Sequence, residues 1–435
     1  MLKIIHNQLG ILIAPFIFVA ALTGLLYGLT PQFENFIYQE HIIAQHLPNQ
    51  KSHLISEQIQ ASLAVLPKEA QIFAVRTPTT INHTTRIIYQ VSTHPNQTFA
   101  IFVNPYNLHI QGQLAVYGTS GVLPLRTFLD QLHRSLLLGE YGRIYSEFAA
   151  SWLGFFALTG CLQWWIRHRK QDVGKQGYLI KWHYLIGLSI LPILLFFSVT
   201  GLTWSKWTGE NIAQIRHLIN SDTPSLKRSL QATMPQMTDL HAEHHMHMVK
   251  DEIQQLNLKD FDRILNIAHQ NGLNAQALQI KPSYRQDQAW SIEEINHRWP
   301  IQVNALAVDM SNDHIIDRLS FQDFPLSAKL TRWGVDFHIG VLFGWINQLL
   351  LVLAAAFLLV LLTCVYFTWW RYQRPYQTLQ KFNVDILELW HKWHVYQKTT
   401  FFILLFLLYF IIPVWVVSVL ILQLVVFLYY QLSKS

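Results

Sequence analysis

Charged residues are scarce in this sequence: only 13% of its 435 residues are Asp, Glu, Lys or Arg. A soluble protein carries charge on about a quarter of its residues, so the composition excludes a purely soluble protein. Spanning a bilayer takes about 20 apolar residues in a helix. We therefore predict an integral membrane protein with five transmembrane helices, each containing a long charge-free stretch, at residues 1–33, 148–166, 182–205, 337–370 and 399–433.

Cysteine is nearly absent, and both cysteines, Cys161 and Cys364, fall within predicted membrane helices. Two thiols in apolar helices exclude a disulfide framework and a thiolate metal site. The sequence also lacks a glycine-rich dinucleotide loop, a phosphate-binding loop, a Cys-x-x-Cys pair and a nucleophile elbow. No motif therefore indicates a nucleotide-dependent, thiol-based or serine-based enzyme.

The net positive charge of +6 has a local origin, because Lys and Arg outnumber acids in two short connections, 167–181 and 371–398. Short basic loops beside membrane helices mark the cytoplasmic side. The charge therefore indicates orientation and does not imply nucleic-acid binding. We expect a multi-pass protein of the bacterial inner membrane with a cytoplasmic N-terminus, and with segments 34–147 and 206–336 in the periplasm.

Both periplasmic segments have the pattern of a small α+β domain. In 34–147 a helical stretch at Ser56–Leu66 precedes strand-like stretches, and the segment ends in a helix that carries His133. In 206–336 a helical stretch at Leu258–Asn271 again precedes strand-like stretches. The predicted fold class is thus a membrane all-α helical bundle of five transmembrane helices, built from a duplicated helix–domain–helix unit with two periplasmic α+β domains.

An internal repeat supports the duplicated unit. In the first helix of each half, a histidine is followed 17 residues later by Thr-Gly. In the second helix, a histidine is followed 31 residues later by a pair of tryptophans. Such coincidences in apolar helices indicate a repeat. The histidines that the halves share are His6 and His183 in the first helices, and His133 and His338 in the second helices.

These histidines form two predicted pairs, His6 with His183 at the cytoplasmic ends and His133 with His338 at the outer ends. Ionisable groups on membrane helices usually face the bundle interior, and paired imidazoles in apolar surroundings suit bis-histidine haem b. A continuous helix from His133 would be longer than the bilayer core is thick. The outer pair is therefore expected at or slightly above the membrane face, unless 139–142 interrupts the helix. The alternative is that all four are interfacial histidines without a cofactor.

The histidine-led helices resemble the PepSY-associated transmembrane proteins, iron-regulated membrane proteins that include FoxB-type ferric-siderophore reductases. The resemblance covers residues 1–375 and depends on the histidine and Thr-Gly motifs, together with Leu132-His133-Arg134, Lys181-Trp182-His183, His338-Ile339-Gly340, Asn104-Pro105-Tyr106 and Val308-Asp309.

The resemblance implies two periplasmic PepSY domains and two b haems, held by His6 with His183 and by His133 with His338. It implies an oxidoreductase that passes electrons to periplasmic ferric siderophore and releases Fe(II). Because the predicted cytoplasmic loops are too short for a flavin or nicotinamide domain, the expected donor is a quinol or a separate cytoplasmic reductase. The other expected partner is membrane lipid.

A histidine- and methionine-rich segment, 241–248, allows other interpretations. Imidazole and thioether groups suit copper as well as other transition metals. The segment is a candidate metal site, a solvated loop with adventitious metal affinity, or the substrate site of a Cu(II) reductase. A haem-free PepSY protein that binds or regulates a partner is a further alternative, and His394 is a rival haem ligand. The candidate metal ligands are His241, His244, His245 and His247.

Overall fold

The computed structural model describes residues 5–94, 97–118, 121–169, 178–230, 256–300, 303–372, 384, 386–388 and 390–432. Its first half contains a π-helical turn at Ile5–Leu9 followed by helices α1 (Gly10–Gly28), α2 (Thr30–Ile37), α3 (Gln39–Ile42), α4 (Ile55–Ser62), α5 (Pro124–Ser135) and α6 (Gly139–Arg169). Its second half contains α7 (Tyr178–Thr203), α8 (Trp207–Leu218), α9 (Lys259–Gln270), α10 (Leu326–His338), α11 (Trp345–Tyr372), α12 (Val395–Tyr409) and α13 (Pro413–Leu432).

Eight strands form one antiparallel sheet in the order β4-β3-β2-β1-β5-β6-β7-β8. Each half of the chain contributes four consecutive strands, and most of them lie where alternating apolar residues predict them. The strands are β1 (Ala70–Arg76), β2 (Thr85–Val91), β3 (Thr98–Val103), β4 (Ile110–Val116), β5 (Leu278–Lys281), β6 (Trp290–Glu294), β7 (Ala305–Asp309) and β8 (His314–Leu319).

The two α+β segments share one sheet and one core, which corrects the prediction of two separate domains beside an all-α bundle. Strands β1 and β5 pair directly, with Val75 opposite Ile280. Side chains of α4 and α9 then cover one face of the joined sheet, and Phe261 and Ile264 are fully buried there in the same cluster as Ile59. Joining β1 to β5 satisfies backbone groups that two separate sheets would leave at open edges.

The prediction of five transmembrane helices is wrong. Three helices within the described residues are long and apolar enough to cross a membrane: Ile5–Gly28, Tyr178–Thr203 and Trp345–Arg371. The predicted helix at 148–166 lies inside α6, which packs against α1 and α7. The buried residues of α6 include Glu147 and Gln163, so this helix is more polar than the three that qualify as spans.

The predicted fifth helix, 399–433, is divided into α12 and α13 at Phe410–Ile412. Proline has no N–H and is tolerated at the first position of a helix, so Pro413 starts a new helix rather than continuing α12. Neither piece is among the candidate spans of the described chain. Helix α13 packs on α6, where the indole Nε1 of the buried Trp152 donates a hydrogen bond to Ser418 Oγ at 3.0 Å.

Candidate functional site

The four histidines predicted from the repeat lie at two places on one helical bundle. His6 and His183 meet near the starts of α1 and α7, with ring centroids 6.3 Å apart. At the opposite ends of these two helices, His133 of α5 contacts Thr23 of α1, and His338 of α10 contacts Thr200 of α7. Since His6 precedes Thr23 by 17 residues, the two places are separated by about 25 Å of helix.

At the first place, the neighbours of the two rings differ. His6 Nδ1 lies 3.1 Å from Thr159 Oγ1 of α6, and the His6 ring meets Phe156 edge to face. His183 Nδ1 is buried and has no hydrogen-bond partner among the residues that the structure describes. The first histidine of this pair is therefore anchored through its ring nitrogen, and the second is not.

A cavity of about 660 Å³ opens beside these two rings. Its walls come from α1, α6, α7 and α11, and Arg167 contributes a guanidinium group to the lining. The volume falls within the range of about 300–1,000 Å³ that is usual for ligand pockets. The space exists because small residues line it: Gly10, Ala14, Ala157, Gly160 and Gly187.

At the second place, each histidine contacts the threonine of a Thr-Gly motif. His133 Nδ1 lies 2.8 Å from Thr23 Oγ1, and His338 Nδ1 lies 2.6 Å from Thr200 Oγ1. The missing side chain of Gly24 makes room for His133, because a Cβ there would lie 3.3 Å from its Cε1. The threonines of the two motifs thus contact their histidines in the same way, whereas Gly201 faces Ala150 and not His338.

Burial keeps the second pair of imidazoles neutral. His133 and His338 lie in α5 and α10, outside the three candidate spans. Burial lowers the pKa of His133, although the Asp130 carboxylate acts in the opposite direction. Burial lowers the pKa of His338 to about 3, and the charge of His133 contributes to the lowering. The neutral imidazole is the form that binds metals.

A break between α5 and α6 explains how His133 reaches α1. Leu136 and Leu137 have φ angles of 51° and 61°, and Gly139 has 59°. These left-handed residues end α5 and let α6 begin in a new direction. The break lies just before the stretch 139–142 considered from the sequence, and it places His133 beside Thr23.

The residues around His6 and His183 fit haem b. Both rings line the cavity, with centroids 6.3 Å apart, and would supply the two imidazole nitrogens that such a haem takes. Groups of three or more metal-ligating side chains do not occur in the described part of the chain, but haem iron takes only two protein ligands.

Two other sequence-based candidates have different outcomes. His241, His244, His245 and His247 lie outside the described residues, as do parts of the basic connections, at 170–177 and 373–383. His394 precedes α12 as its N-cap, and its backbone N–H donates to Gln397 Oε1 at 3.0 Å. Its ring stacks on Tyr396. The structure thus gives His394 a helix-capping position.

Sequence reasoning missed the contact between His6 and Thr159. Thr159 is followed by Gly160, so α6 contains a third Thr-Gly motif beside a histidine. A Cβ on Gly160 would lie 2.8 Å from His6 Cε1. A search for every Thr-Gly pair within the predicted membrane helices would have found it.

The three apolar helices and the bundle around them define a membrane protein. The family model described as the PepSY-associated TM region matches residues 4–371. The chain therefore belongs to the PepSY-associated transmembrane family, as the sequence motifs predict. No curated protein matches the chain in sequence.

Proposed function

We propose that this protein is a dihaem b oxidoreductase of the bacterial inner membrane that passes electrons to periplasmic ferric siderophores and releases Fe(II). The observation that carries the proposal is the arrangement of four histidines as two pairs about 25 Å apart along the same bundle. That spacing is close to the thickness of the bilayer core, about 30 Å. A pair at each end is the arrangement that electron transfer across a membrane requires.

The chain's own residues would hold the two haems and surround them with apolar side chains. His6 and His183 would ligate one haem, and His133 and His338 the other. The small residues that line the cavity leave room for a flat macrocycle, and Arg167 offers a charged partner for a carboxylate. Bound haem supplies one-electron transfer between its ferric and ferrous states. Apolar side chains of α1, α7 and α11 line the cavity beside His6 and His183.

The direction of transfer follows from the proposed orientation. The basic connections 167–181 and 371–398 support a cytoplasmic location for the His6 end. The sheet then lies on the periplasmic side, next to the helix α5 that carries His133. Helix α6, although more polar than the three apolar helices, returns the chain to the His6 end, where Thr159 contacts His6. Fe(II) is a softer ion than Fe(III) and is held less strongly by oxygen ligands, so reduction would release the metal. The proposed donor is a quinol or a separate cytoplasmic reductase.

The test is reduction of external ferric chelates by the full-length protein in liposomes that enclose dithionite as the electron donor, with a chromogenic Fe(II) chelator outside. His133→Ala and His338→Ala should each remove one haem and reduce the rate to background. The matched control is His94→Ala, an exposed histidine on a loop of the sheet, which should retain the full rate. Full activity in either paired-histidine variant would refute the proposal.

The same assay separates the alternatives. With Cu(II) in place of the ferric chelate, a copper reductase would lose activity when residues 241–248 are deleted, and ferric reduction would be unaffected. A colourless protein with no reductase activity would instead indicate a haem-free binding or regulatory protein. The ferric reductase proposal predicts that deleting 241–248 leaves ferric reduction intact.

A further inference from the structure

We propose that the hydroxyls of Thr23, Thr159 and Thr200 act as positioning groups that leave Nε2 of three paired histidines bare for a metal. We further infer that Cys364 occupies the fourth equivalent position, where the hydroxyl is missing. The inference rests on the proposed function for its redox consequences. The hydrogen bonds themselves do not depend on that function.

The three threonines make the same double contact. Each hydroxyl oxygen lies between 2.6 and 3.1 Å from the Nδ1 of one paired histidine. Each also lies within hydrogen-bond distance of the carbonyl oxygen four residues earlier on its own helix. Those distances are 2.8 Å for Thr23 to Val19, 2.9 Å for Thr159 to Phe155 and 2.8 Å for Thr200 to Phe196.

This double contact determines which ring nitrogen carries the proton. A hydroxyl has one proton and two lone pairs, and a backbone carbonyl can only accept. When the hydroxyl donates to the carbonyl, its oxygen accepts from the ring, so Nδ1 carries the hydrogen. Nε2 is then the nitrogen with a free lone pair. An acceptor on the far nitrogen of a ligating imidazole also fixes the ring and makes it a stronger donor to the metal.

The fourth position follows from the spacing of the repeat. His338 and Trp369 each lie 205 residues after their counterparts His133 and Trp164, and the same step from Thr159 leads to Cys364. Cys364 and His183 line the same cavity. A thiol is a weak hydrogen-bonding group.

Two independent observations therefore indicate that His6 and His183 are held differently. The repeat places a thiol where a threonine would serve His183, and the structure gives His183 Nδ1 no partner among the described residues. His6 is consequently the fixed ligand of its pair, and His183 is the less constrained one.

The redox test is a potentiometric titration of the holoprotein, which gives a separate midpoint potential for each of the two haems. Thr159→Val should weaken haem retention at the His6 pair roughly 10-fold and raise the potential of that haem alone, because a weaker donor stabilises the ferric state less. Thr159→Ser keeps the hydroxyl and should restore wild-type values. Thr23→Val and Thr200→Val should change the other haem alone, which makes each variant a control for the others.

Cys364→Thr is the complementary variant, because it adds the hydroxyl that is missing beside His183. It should lower the potential of the haem at the His6 pair, opposite in sign to Thr159→Val, and Cys364→Val should leave that potential at the wild-type value. Equal effects of Cys364→Thr and Cys364→Val would overturn the assignment of position 364. A Thr159→Ser variant that behaves like Thr159→Val would overturn the role of the hydroxyl.

A measurement on the haem-free protein separates this inference from the proposed function. Nitrogen-15 NMR of histidine-labelled protein, with His6→Ala to assign the resonances, reports which ring nitrogen of His6 is protonated. We expect a protonated Nδ1 in the wild type and a mixture of tautomers in Thr159→Val. A protonated Nε2 in the wild type would overturn the inference. If no preparation binds haem, the proposed function fails and this spectrum alone decides whether the threonine acts on the ring.

Discussion

At the scale of single residues, the site depends on side chains that are absent as much as on those present. Gly160 follows Thr159 and faces His6, so that the threonine and the missing Cβ together define where the ring lies. Gly187 lies in the same cavity wall, but a Cβ there would meet Leu361 at an ordinary distance of 3.5 Å. The two glycines therefore tolerate an added methyl group differently.

Gly160→Ala should displace His6, because the new Cβ would lie 2.8 Å from His6 Cε1. The protein should then retain one haem of two, and the haem lost should be the one at the cavity. Haem per chain and the reduced spectrum measure this directly. Leu158→Ala, at an exposed side chain of the same helix, is the control and should keep both haems. Two haems in Gly160→Ala would contradict the predicted displacement of His6.

The sequence could predict the four histidines because the repeat spacing identifies them without any structure. It could also predict that His6 lies near His183, since both residues precede the first apolar stretch of their half. The contact of His6 with Thr159 joins residues 153 positions apart. Such a contact depends on the rotation of α6 about its axis, which the long apolar run of that helix does not determine.

At the scale of elements, the junction between α5 and α6 controls the position of His133. Gly142 lies so close to the end of α5 that an added Cβ would come within 1.7 Å of the Ser135 carbonyl oxygen. A backbone atom cannot rotate away as a side chain can. The junction therefore requires glycine at this position.

Gly142→Ala should push α5 away from α6 and weaken the contact between His133 and Thr23. Overpacking of this kind costs about 1–3 kcal/mol of unfolding free energy, visible as a lower Tm in detergent. The haem at His133 should be lost before the one at His6. Gly10→Ala is the control, because its Cβ would meet Phe156 at 3.8 Å and the Tm should not change. An unchanged Tm in Gly142→Ala would contradict the described junction.

Most strands and several helices could be predicted, because alternating apolar residues and the helical repeat report local structure. The sequence allowed an interruption at 139–142, but it did not indicate that the break begins at Leu136 and Leu137, since leucine rarely adopts positive φ. Pro413 marks the division of the last apolar stretch, but the prediction of one helix at 399–433 takes no account of it. Counting charge-free residues measures the length of a run and not its continuity as one helix.

At the scale of the whole molecule, one sheet joins the two halves of the chain. Thr77 strengthens the join beyond the strand pairing, since its hydroxyl donates to the Gln276 carbonyl at 2.7 Å and accepts from the Leu278 N–H at 2.8 Å. Pairing of β1 with β5 unites residues about 200 positions apart, and periodicity within each strand does not specify such a partner. The single sheet therefore could not be predicted.

Phe261→Ala should destabilise both halves together, because Phe261 of α9 is fully buried in a core that includes Ile59 and Ile87 of the first half. The expected cost is about 3–5 kcal/mol. Hydrogen exchange should show lost protection in β1–β4 as well as in β5–β8. Leu63→Ala, at a side chain that is 41% exposed, should change protection little. Lost protection confined to β5–β8 would show that the halves fold as separate units.

If the two histidine pairs each hold a haem, the number of haems per chain is two. Protein purified in detergent from cells supplied with haem should give two b-type haems per chain by pyridine haemochrome, with a low-spin spectrum that dithionite reduces fully. Purified protein without haem would contradict the proposed reductase and leave the PepSY-associated chain as a binding or regulatory membrane protein.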